Sequence, residues 1–318
     1  MSDPTHSKFS RRHLLQAGAL AGAGMALGNT SLAADSATLP LITKAIPSTG
    51  EKMPVIGIGT NSFRDANYDE LSAVLKRMQA MGGSLIDTAA SYGESEGVIG
   101  RVLADLGIRN KMFISTKFNA AGKGFGQDTI AGKESFERSL ERLKVKSVDL
   151  LEVHRLDGLD DLMPVMQEYK KAGKIRYLGV TTFNNNEHER MAEALRKYPL
   201  DFIQIDYSLS NRKAAEVVFP IAAERKVAVM INVPLGGRRG SLFQEVGSRE
   251  LPKWAADFNA ATWSQFFLKY VVSHPAVTCA IPGSTQLKHL EDNQAAGLGR
   301  LPTAAERKRM EEFWDSKA

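Results

Sequence analysis

Short apolar runs alternate with longer amphipathic runs eight times along most of the chain, at a spacing of about 30 residues. The apolar runs have strand length, and the amphipathic runs place apolar residues three and four positions apart, which is helical spacing. The predicted strands are residues 55–58, 84–86, 112–116, 148–153, 176–180, 202–205, 227–231 and 277–281. The predicted helices are residues 69–82, 94–106, 133–143, 159–172, 187–197, 213–224, 261–273 and 287–295.

Strands that alternate with helices imply a parallel sheet with right-handed crossovers. Eight such units predict an α/β fold, a closed (β/α)₈ barrel of about 250 residues, here over residues 41–318. A doubly wound open sheet is disfavoured because Gly57 and Gly59 lack a third glycine and no helix follows them directly. Residues 42–53 predict a hairpin under the barrel floor.

The chain is predicted to end in an extra helix beyond the eight units, over residues 303–316. Thr303 is its expected N-cap, and Glu306 stands at the capping-box position three residues later.

Residues 1–33 have the basic region, apolar stretch and small-residue end of an export signal. Residues 10–15 (SRRHLL) resemble the twin-arginine signal. The apolar stretch at 17–27 is interrupted by glycines, whereas a membrane span needs about 20 strongly apolar residues. We therefore expect cleavage near Ala33, handling by the twin-arginine export machinery, and a periplasmic or otherwise exported protein; the alternative is a disordered basic tail.

Composition excludes several other classes of protein. The formal net charge is +5, and the basic residues are interleaved with acidic ones, so no basic face for nucleic acid is expected. Cys279 is the single cysteine and cannot pair within the chain; its apolar surroundings predict a core residue. No metal site and no stable membrane insertion are expected.

Ionisable side chains stand at the ends of three consecutive predicted strands. Asp87 follows the second strand, with Tyr92 five residues later, and Lys117 and His154 follow the third and fourth. The separations of 30 and 37 residues are each about one repeat. Because the carboxyl ends of the strands form the mouth of such a barrel, these four side chains are expected to share one site.

The four residue types suit protonation of a carbonyl oxygen. A phenol has an ordinary pKa of about 10, and a nearby ammonium such as Lys117 is expected to lower it. Asp87 would hold that ammonium charged and in place. Tyr92 is then a candidate general acid, and the imidazole of His154 a candidate hydrogen-bond partner that orients the carbonyl group.

Longer motifs around these residues resemble the aldo-keto reductase family, and the resemblance covers nearly all of residues 41–318. The matching segments are 50–60 (GEKMPVIGIGT), 86–96 (IDTAASYGESE), 113–117 (FISTK), 150–154 (LLEVH), 173–180 (GKIRYLGV), 203–205 (IQI) and 280–284 (AIPGS). The resemblance implies a (β/α)₈ barrel that reduces aldehydes and ketones with NAD(P)H. It assigns proton donation to Tyr92, tuning to Lys117 and Asp87, and substrate positioning to His154.

The resemblance also implies a set of cofactor-binding residues, with NADPH favoured over NADH. Thr181 and Thr182 stand where the family usually has Ser-Asn, and Asn232 stands where an aromatic commonly stacks on the nicotinamide. Lys288 and His289 stand where an arginine often binds the 2′-phosphate. The implied cofactor-binding residues are Thr60, Thr181, Thr182, Gln204, Asn232, Leu235, Gly236, Arg238, Ser241, Gly283, Ser284, Gln286, Asp292 and Asn293.

Two functions from different classes remain open on the sequence. The first is an exported NAD(P)H-dependent reductase of small carbonyl compounds. The second is a redox sensor or channel-associated barrel that binds the nicotinamide cofactor with little turnover. Oxidation of NADPH by a simple aldehyde separates the two. A cofactor-free isomerase is disfavoured, since residues 235–241 resemble a pyrophosphate loop.

Overall fold

The predicted barrel strands lie side by side in one parallel sheet. The computed structural model describes residues 39–119, 129–237 and 240–316. Its strands are β1 Thr43–Ala45, β2 Lys52–Pro54, β3 Ile58–Gly59, β4 Leu85–Asp87, β5 Phe113–Phe118, β6 Val148–His154, β7 Ile175–Thr181, β8 Phe202–Ile205, β9 Ala228–Ile231, β10 Gly236–Gly237, β11 Gly240–Ser241 and β12 Val277–Ala280. The barrel sheet has the order β12-β9-β8-β7-β6-β5-β4-β3, so its strands follow the chain from one edge to the other.

The helices turn their apolar sides toward this sheet, as the 3.6-residue periodicity requires. In the first of them, for example, Leu71, Val74, Leu75 and Met78 are all buried in the main apolar cluster. The helices are α1 Tyr68–Ala80, α2 Ser95–Asp105, α3 Thr129–Leu143, α4 Leu159–Lys171, α5 His188–Lys197, α6 Lys213–Val217, α7 Phe219–Glu224, α8 Leu242–Val246, α9 Trp263–Ser273, α10 Leu287–Ala295 and α11 Ala304–Asp315.

The two edges of the sheet meet and close the barrel. Isolated parallel bridges join Ile56 to Ala280 and Gly59 to Gly283. A Cβ atom on Gly59 would lie 2.9 Å from the carbonyl oxygen of Ile281, so glycine allows this close approach. The expected (β/α)₈ barrel is confirmed, although regular β3 is shorter than the predicted strand 55–58.

The N-terminal hairpin closes the floor of the barrel, as predicted. β1 and β2 pair antiparallel, with Lys44 opposite Met53. Met53 and Ile46 are buried in one apolar cluster with inward-facing strand residues, including Leu85, Phe113, Leu150, Tyr177, Phe202, Met230 and Cys279. Lys44 Nζ donates hydrogen bonds to the carbonyl oxygens of His274 (2.9 Å) and Val277 (2.6 Å), which ties the hairpin to the floor.

Along each barrel strand the inward-facing positions change from apolar to polar toward the mouth. Side chains alternate between the two faces of a strand, so every second residue points into the barrel. On β5 the inward series is Phe113, Ser115, Lys117, and on β6 it is Leu150, Glu152, His154. The floor is therefore a dry apolar layer, and the functional groups lie above it.

Two segments differ from the sequence prediction. The single helix predicted over residues 213–224 is instead α6 and α7. Pro220 has no N–H to donate to the carbonyl group of Glu216, so a continuous helix would lose a hydrogen bond there. Between the predicted strand 227–231 and the predicted helix 261–273, the structure contains β10, β11, α8 and a 3₁₀ helix, Lys253–Phe258.

The C-terminal helix α11 begins as predicted. The Thr303 hydroxyl accepts from the backbone N–H of Glu306, and the Glu306 carboxylate accepts from the backbone N–H of Thr303. This reciprocal capping box satisfies two N–H groups at the start of the helix.

The predicted export signal at residues 1–33 lies outside the described residues. In the part of the chain that the structure describes, none of the helices combines the length and apolar character needed to cross a membrane.

Met53→Ala tests the role of the hairpin as a plug. Met53 is 2% exposed, so its truncation removes buried contacts at the barrel floor. We expect the free energy of unfolding to fall by about 2–5 kcal/mol, the usual cost of a large-to-Ala change in a core. Lys52→Ala, one residue away and exposed, is the matched control. Denaturant titration checks both variants, and equal stability of the two would contradict a plug.

Candidate active site

A buried ion pair between neighbouring strands forms the base of the predicted site. Lys117 Nζ lies 2.6 Å from both carboxylate oxygens of Asp87 and 2.9 Å from the carbonyl oxygen of Thr88. Lys117 is 1% exposed and Asp87 2% exposed. Burial by itself would lower the pKa of Lys117, but its acidic neighbours, Asp87 first, outweigh this and raise that pKa well above its ordinary value. Lys117 is therefore a permanent cation.

Tyr92 lies above this pair in the turn that follows β4. The turn is held by a hydrogen bond from the Tyr92 backbone N–H to the carbonyl oxygen of Ala89 (3.0 Å). Lys117 Nζ lies 5.4 Å from the centroid of the Tyr92 ring. Burial raises the pKa of Tyr92 by more than Lys117 lowers it, so the net shift is upward and corrects the expected lowering. The phenol therefore keeps its proton, the form that a proton donor requires.

His154, at the end of β6, faces Tyr92 across the mouth. The two ring centroids lie 5.8 Å apart, with an interplanar angle of 82°. The His154 Nδ1 atom lies 3.2 Å from the Ser91 hydroxyl oxygen. Burial, with the positive charges of Lys117 and Arg155, lowers the pKa of His154 to about 3. The imidazole is therefore neutral and suited to hydrogen bonding with a neutral substrate.

Gln204, on β8, links this group to the residues expected to bind nicotinamide. Its Nε2 atom donates to Asp87 Oδ1 and to Glu152 Oε2, both at 3.0 Å. Its Oε1 atom accepts from the Thr181 hydroxyl (3.2 Å) and from Asn232 Nδ2 (3.4 Å). The catalytic and carboxamide-binding candidates therefore form one hydrogen-bonded network.

Two threonines of the predicted set have hydroxyl groups engaged elsewhere. The Thr182 hydroxyl donates to the carboxylate of Glu187 and accepts from the backbone N–H of Asn184 (3.1 Å). The Thr60 hydroxyl donates to the carbonyl oxygen of Asp87 (2.9 Å) and also contacts Ser95 Oγ (2.8 Å). Both side chains organise loops at the barrel mouth.

The residues predicted to bind the phosphates lie in two loops. Gly283, Ser284 and Gln286 precede α10, and Gln286, the N-cap, leaves the first turn without a side-chain cap. Leu235, Gly236 and Ser241 belong to the loop after β9; the Ser241 hydroxyl accepts from the backbone N–H of Phe243 and caps α8. Arg238 of that loop lies outside the described residues.

The expected adenine-binding pair connects α10 to α9. Asp292 Oδ1 accepts from the Thr262 hydroxyl and from Gln265 Nε2, both at 2.8 Å, and Asn293 Oδ1 accepts from Ser264 Oγ at 2.6 Å. These bonds fix the start of α9 against α10.

Glu152, in the 150–154 motif, is a further residue of the site that the sequence did not predict. It is fully buried and borders Lys117 across the β5–β6 register. The signal was available, since Glu152 is two residues before His154 on the same strand and must therefore face the same way.

Comparison with known proteins agrees with this arrangement. A model of the Aldo/keto reductase family matches residues 55–315. An aldo-keto reductase named str7 from Strobilurus tenacellus is 32% identical over 302 residues, covering 82% of this chain and 87% of the relative. A Schizosaccharomyces pombe aldo-keto reductase, whose name specifies NADP(+), is 25% identical over 304 residues, covering 80% and 86%.

Solved structures lead to the same family. The crystal structure of an aldo/keto reductase from Klebsiella pneumoniae, in complex with NADP and acetate, superposes with a TM-score of 0.67. It is 25% identical, and the match covers 83% of this chain and 93% of that one. The fold and the site define a TIM-barrel oxidoreductase. The chain belongs to the aldo/keto reductase family.

His154 provides a direct test of the site's electrostatics. Because burial and nearby cations lower its pKa to about 3, we expect its imidazole to stay neutral from pH 5 to pH 8. Side-chain NMR, with His154→Gln for assignment among the six histidines, measures the titration. A midpoint near the ordinary value of about 6.5 would show that the ring is solvated and that this electrostatic account is wrong.

Proposed function

We propose that the protein reduces aldehydes or ketones to alcohols, with NADPH as the hydride donor. The observation that carries the proposal is the position of a protonated Tyr92 above the buried Lys117–Asp87 pair, with neutral His154 facing it at 5.8 Å. A phenol able to donate a proton, a fixed cation and a hydrogen-bonding imidazole surround one opening, which supports the proposal.

The chain's own residues account for the proton side of the reaction. His154 would orient the carbonyl oxygen toward Tyr92, and the phenol would donate its proton as negative charge develops on that oxygen. Lys117 lies close enough to stabilise the phenolate that remains, and Asp87 keeps Lys117 in position. A bound nicotinamide would supply the hydride to the carbonyl carbon.

The described residues fit a nicotinamide nucleotide. Asn232 Oδ1 is buried without a hydrogen-bond partner among them, so it offers an acceptor to a carboxamide N–H group. The first turn of α10, with Ser284 before it, offers backbone N–H groups to a phosphate. Exposed Lys288 and His289 follow at the same end of α10, and Lys288 adds positive charge for a 2′-phosphate.

The relatives support NADPH as the nucleotide. The Klebsiella pneumoniae enzyme was crystallised with NADP, and the fission yeast relative is named for NADP(+). Asn232, Gln204 and Thr181 would hold the carboxamide of the nicotinamide, and the start of α10 would hold the adenosine phosphate.

Tyr92→Phe tests the assignment of the proton donor. Removal of the hydroxyl should lower kcat for carbonyl reduction by at least about 100-fold, since a positioned general acid contributes on the order of 10²–10⁴ in rate. The loss of NADPH absorbance with a panel of aldehydes and ketones measures the rate, and cofactor fluorescence measures binding. Tyr68→Phe, an exchange at a tyrosine hydrogen-bonded to Asp105, is the control.

The same experiment separates the two candidate functions. Tight NADPH binding by the wild type without reduction of any carbonyl in the panel would favour a sensor or channel-associated barrel. Substantial activity in Tyr92→Phe would require a different proton donor.

We further propose that the protein is exported by the twin-arginine route and is periplasmic after cleavage near Ala33. The support is the sequence of residues 10–15 and the small-residue end of the segment. The cofactor would then be bound in the cytoplasm and carried across with the folded protein, since a ligand that binds only the native state also stabilises it.

Arg11→Lys together with Arg12→Lys tests the export proposal. The doubly substituted protein should stay cytoplasmic and uncleaved, because the lysines keep the charge but remove the arginine pair. Cell fractionation measures where the protein is located, and mass measurement of the N-terminus shows whether it has been cleaved. Cleaved protein outside the cytoplasm would defeat the routing, and periplasmic wild type without nucleotide would defeat co-export.

A further inference from the structure

Glu152 is a charged residue type in the barrel interior to which the proposed reaction assigns no role. It pairs with Lys117 of β5 on one side and with Gly179 of β7 on the other. A Cβ atom on Gly179 would lie 3.3 Å from Glu152 Cγ and 2.7 Å from the carbonyl oxygen of Phe202. Because residue 179 is a glycine without a Cβ atom, the Glu152 side chain has room beside it.

The two carboxylate oxygens of Glu152 have unequal surroundings. Oε2 accepts from Gln204 Nε2 at 3.0 Å and lies 3.5 Å from Ser115 Oγ. Oε1 is buried and has no hydrogen-bond partner among the described residues. An ionised carboxylate would leave this oxygen charged and unsatisfied, which is costly in a buried site.

The positive charge near Glu152 is already neutralised by Asp87 and does not compensate a second carboxylate. Lys117 is the cation that acts on it, and both oxygens of Asp87 already accept hydrogen bonds from that ammonium. The other titratable groups that interact with Glu152 are Tyr92 and the Cys279 thiol, and both are neutral in their protonated forms. Two carboxyl groups beside one ammonium favour retention of one proton.

We propose that Glu152 is a positioning residue of the active site: as a neutral carboxylic acid it holds Gln204 against Asp87, and its ionisation at alkaline pH slows proton donation by Tyr92. This role rests on the proposed reduction. The proton lost from Glu152 goes to solvent, and the anion that remains opposes the negative charge that develops on the Tyr92 oxygen as its proton leaves.

The expected titration range follows from the same surroundings. Burial is the largest cause and raises the pKa of Glu152 to about 8, while Lys117 acts in the opposite direction and Asp87 reinforces the rise. The Ser115 hydroxyl favours the ionised form and lowers this pKa. Near neutral pH the group is therefore mostly protonated.

The first test measures protonation without any catalysis. Infrared difference spectra of the wild-type protein should show the carbonyl band of a protonated carboxylic acid at pH 6 that disappears near pH 8. Glu152→Gln should lack this band, and Glu141→Gln, an exposed carboxyl on α3, should keep it. Ser115→Ala should shift the midpoint upward. Absence of the band in the wild type would overturn the proposal.

Stability gives a second measure of the same proton. A carboxyl whose pKa rises on folding stabilises the native state at low pH, and this contribution is lost as pH rises from the ordinary value to about 8. The thermal midpoint of the wild type should therefore fall more between pH 5 and pH 8 than that of Glu152→Gln. Parallel curves for the two proteins would count against the assignment.

The last test concerns the reaction itself. With a pKa of about 8, the protonated fraction of Glu152 falls about tenfold between pH 7 and pH 9, and kcat should fall by the same factor while KM changes little. In Glu152→Gln, kcat at pH 7 and kcat at pH 9 should differ by no more than about twofold. A tenfold fall of kcat in that variant would overturn the proposed role. If the wild type reduces no carbonyl compound at all, the proposed function is wrong, and the infrared spectra alone then test the protonation of Glu152.

Discussion

The buried ion pair of Lys117 and Asp87 is the interaction on which the rest of the site depends. Removing two charges from water is costly, and the cost is offset only where geometry and additional hydrogen bonds are favourable. Here the ammonium contacts both oxygens of Asp87 and the carbonyl oxygen of Thr88. This arrangement requires neighbouring parallel strands in a fixed register, which the closed barrel provides. Loss of either partner would leave the other as an uncompensated buried charge.

An apolar floor lies below this pair, and polar and titratable groups lie above it. Met53 and Ile46 of the hairpin pack with the inward-facing floor residues and exclude water from that end. At the mouth, burial raises the pKa of Tyr92, and burial with the charges of Lys117 and Arg155 lowers that of His154, so both groups are neutral in the same pH range. A fixed cation therefore lies beneath two neutral hydrogen-bonding groups.

Much of the fold could be predicted from the sequence because local periodicity and global topology agree in this chain. Helix α10 has its predicted bounds, and the Thr303 capping box forms as expected. The predictions failed where a neighbour in space decides the outcome. One failure was local instead: Pro220, which is visible in the sequence, divides one predicted helix. Burial, which the sequence does not reveal, reverses the expected pKa shift of Tyr92. The engagement of the Thr182 hydroxyl with Glu187 likewise depends on the turn after β7.

Asn232 departs from the family pattern in a way that changes how a bound nicotinamide would be oriented. An aromatic ring at this position would offer a surface for stacking but no amide. The Asn232 amide donates to the carbonyl oxygen of Thr182 at 2.9 Å and joins Gln204 and Thr181 in the network that reaches Asp87. Orientation of a nicotinamide ring would then depend on hydrogen bonds to its carboxamide. Gln204 also donates to Asp87 and Glu152, so the groups that would position the cofactor share one hydrogen-bonded network with those around the proposed proton donor.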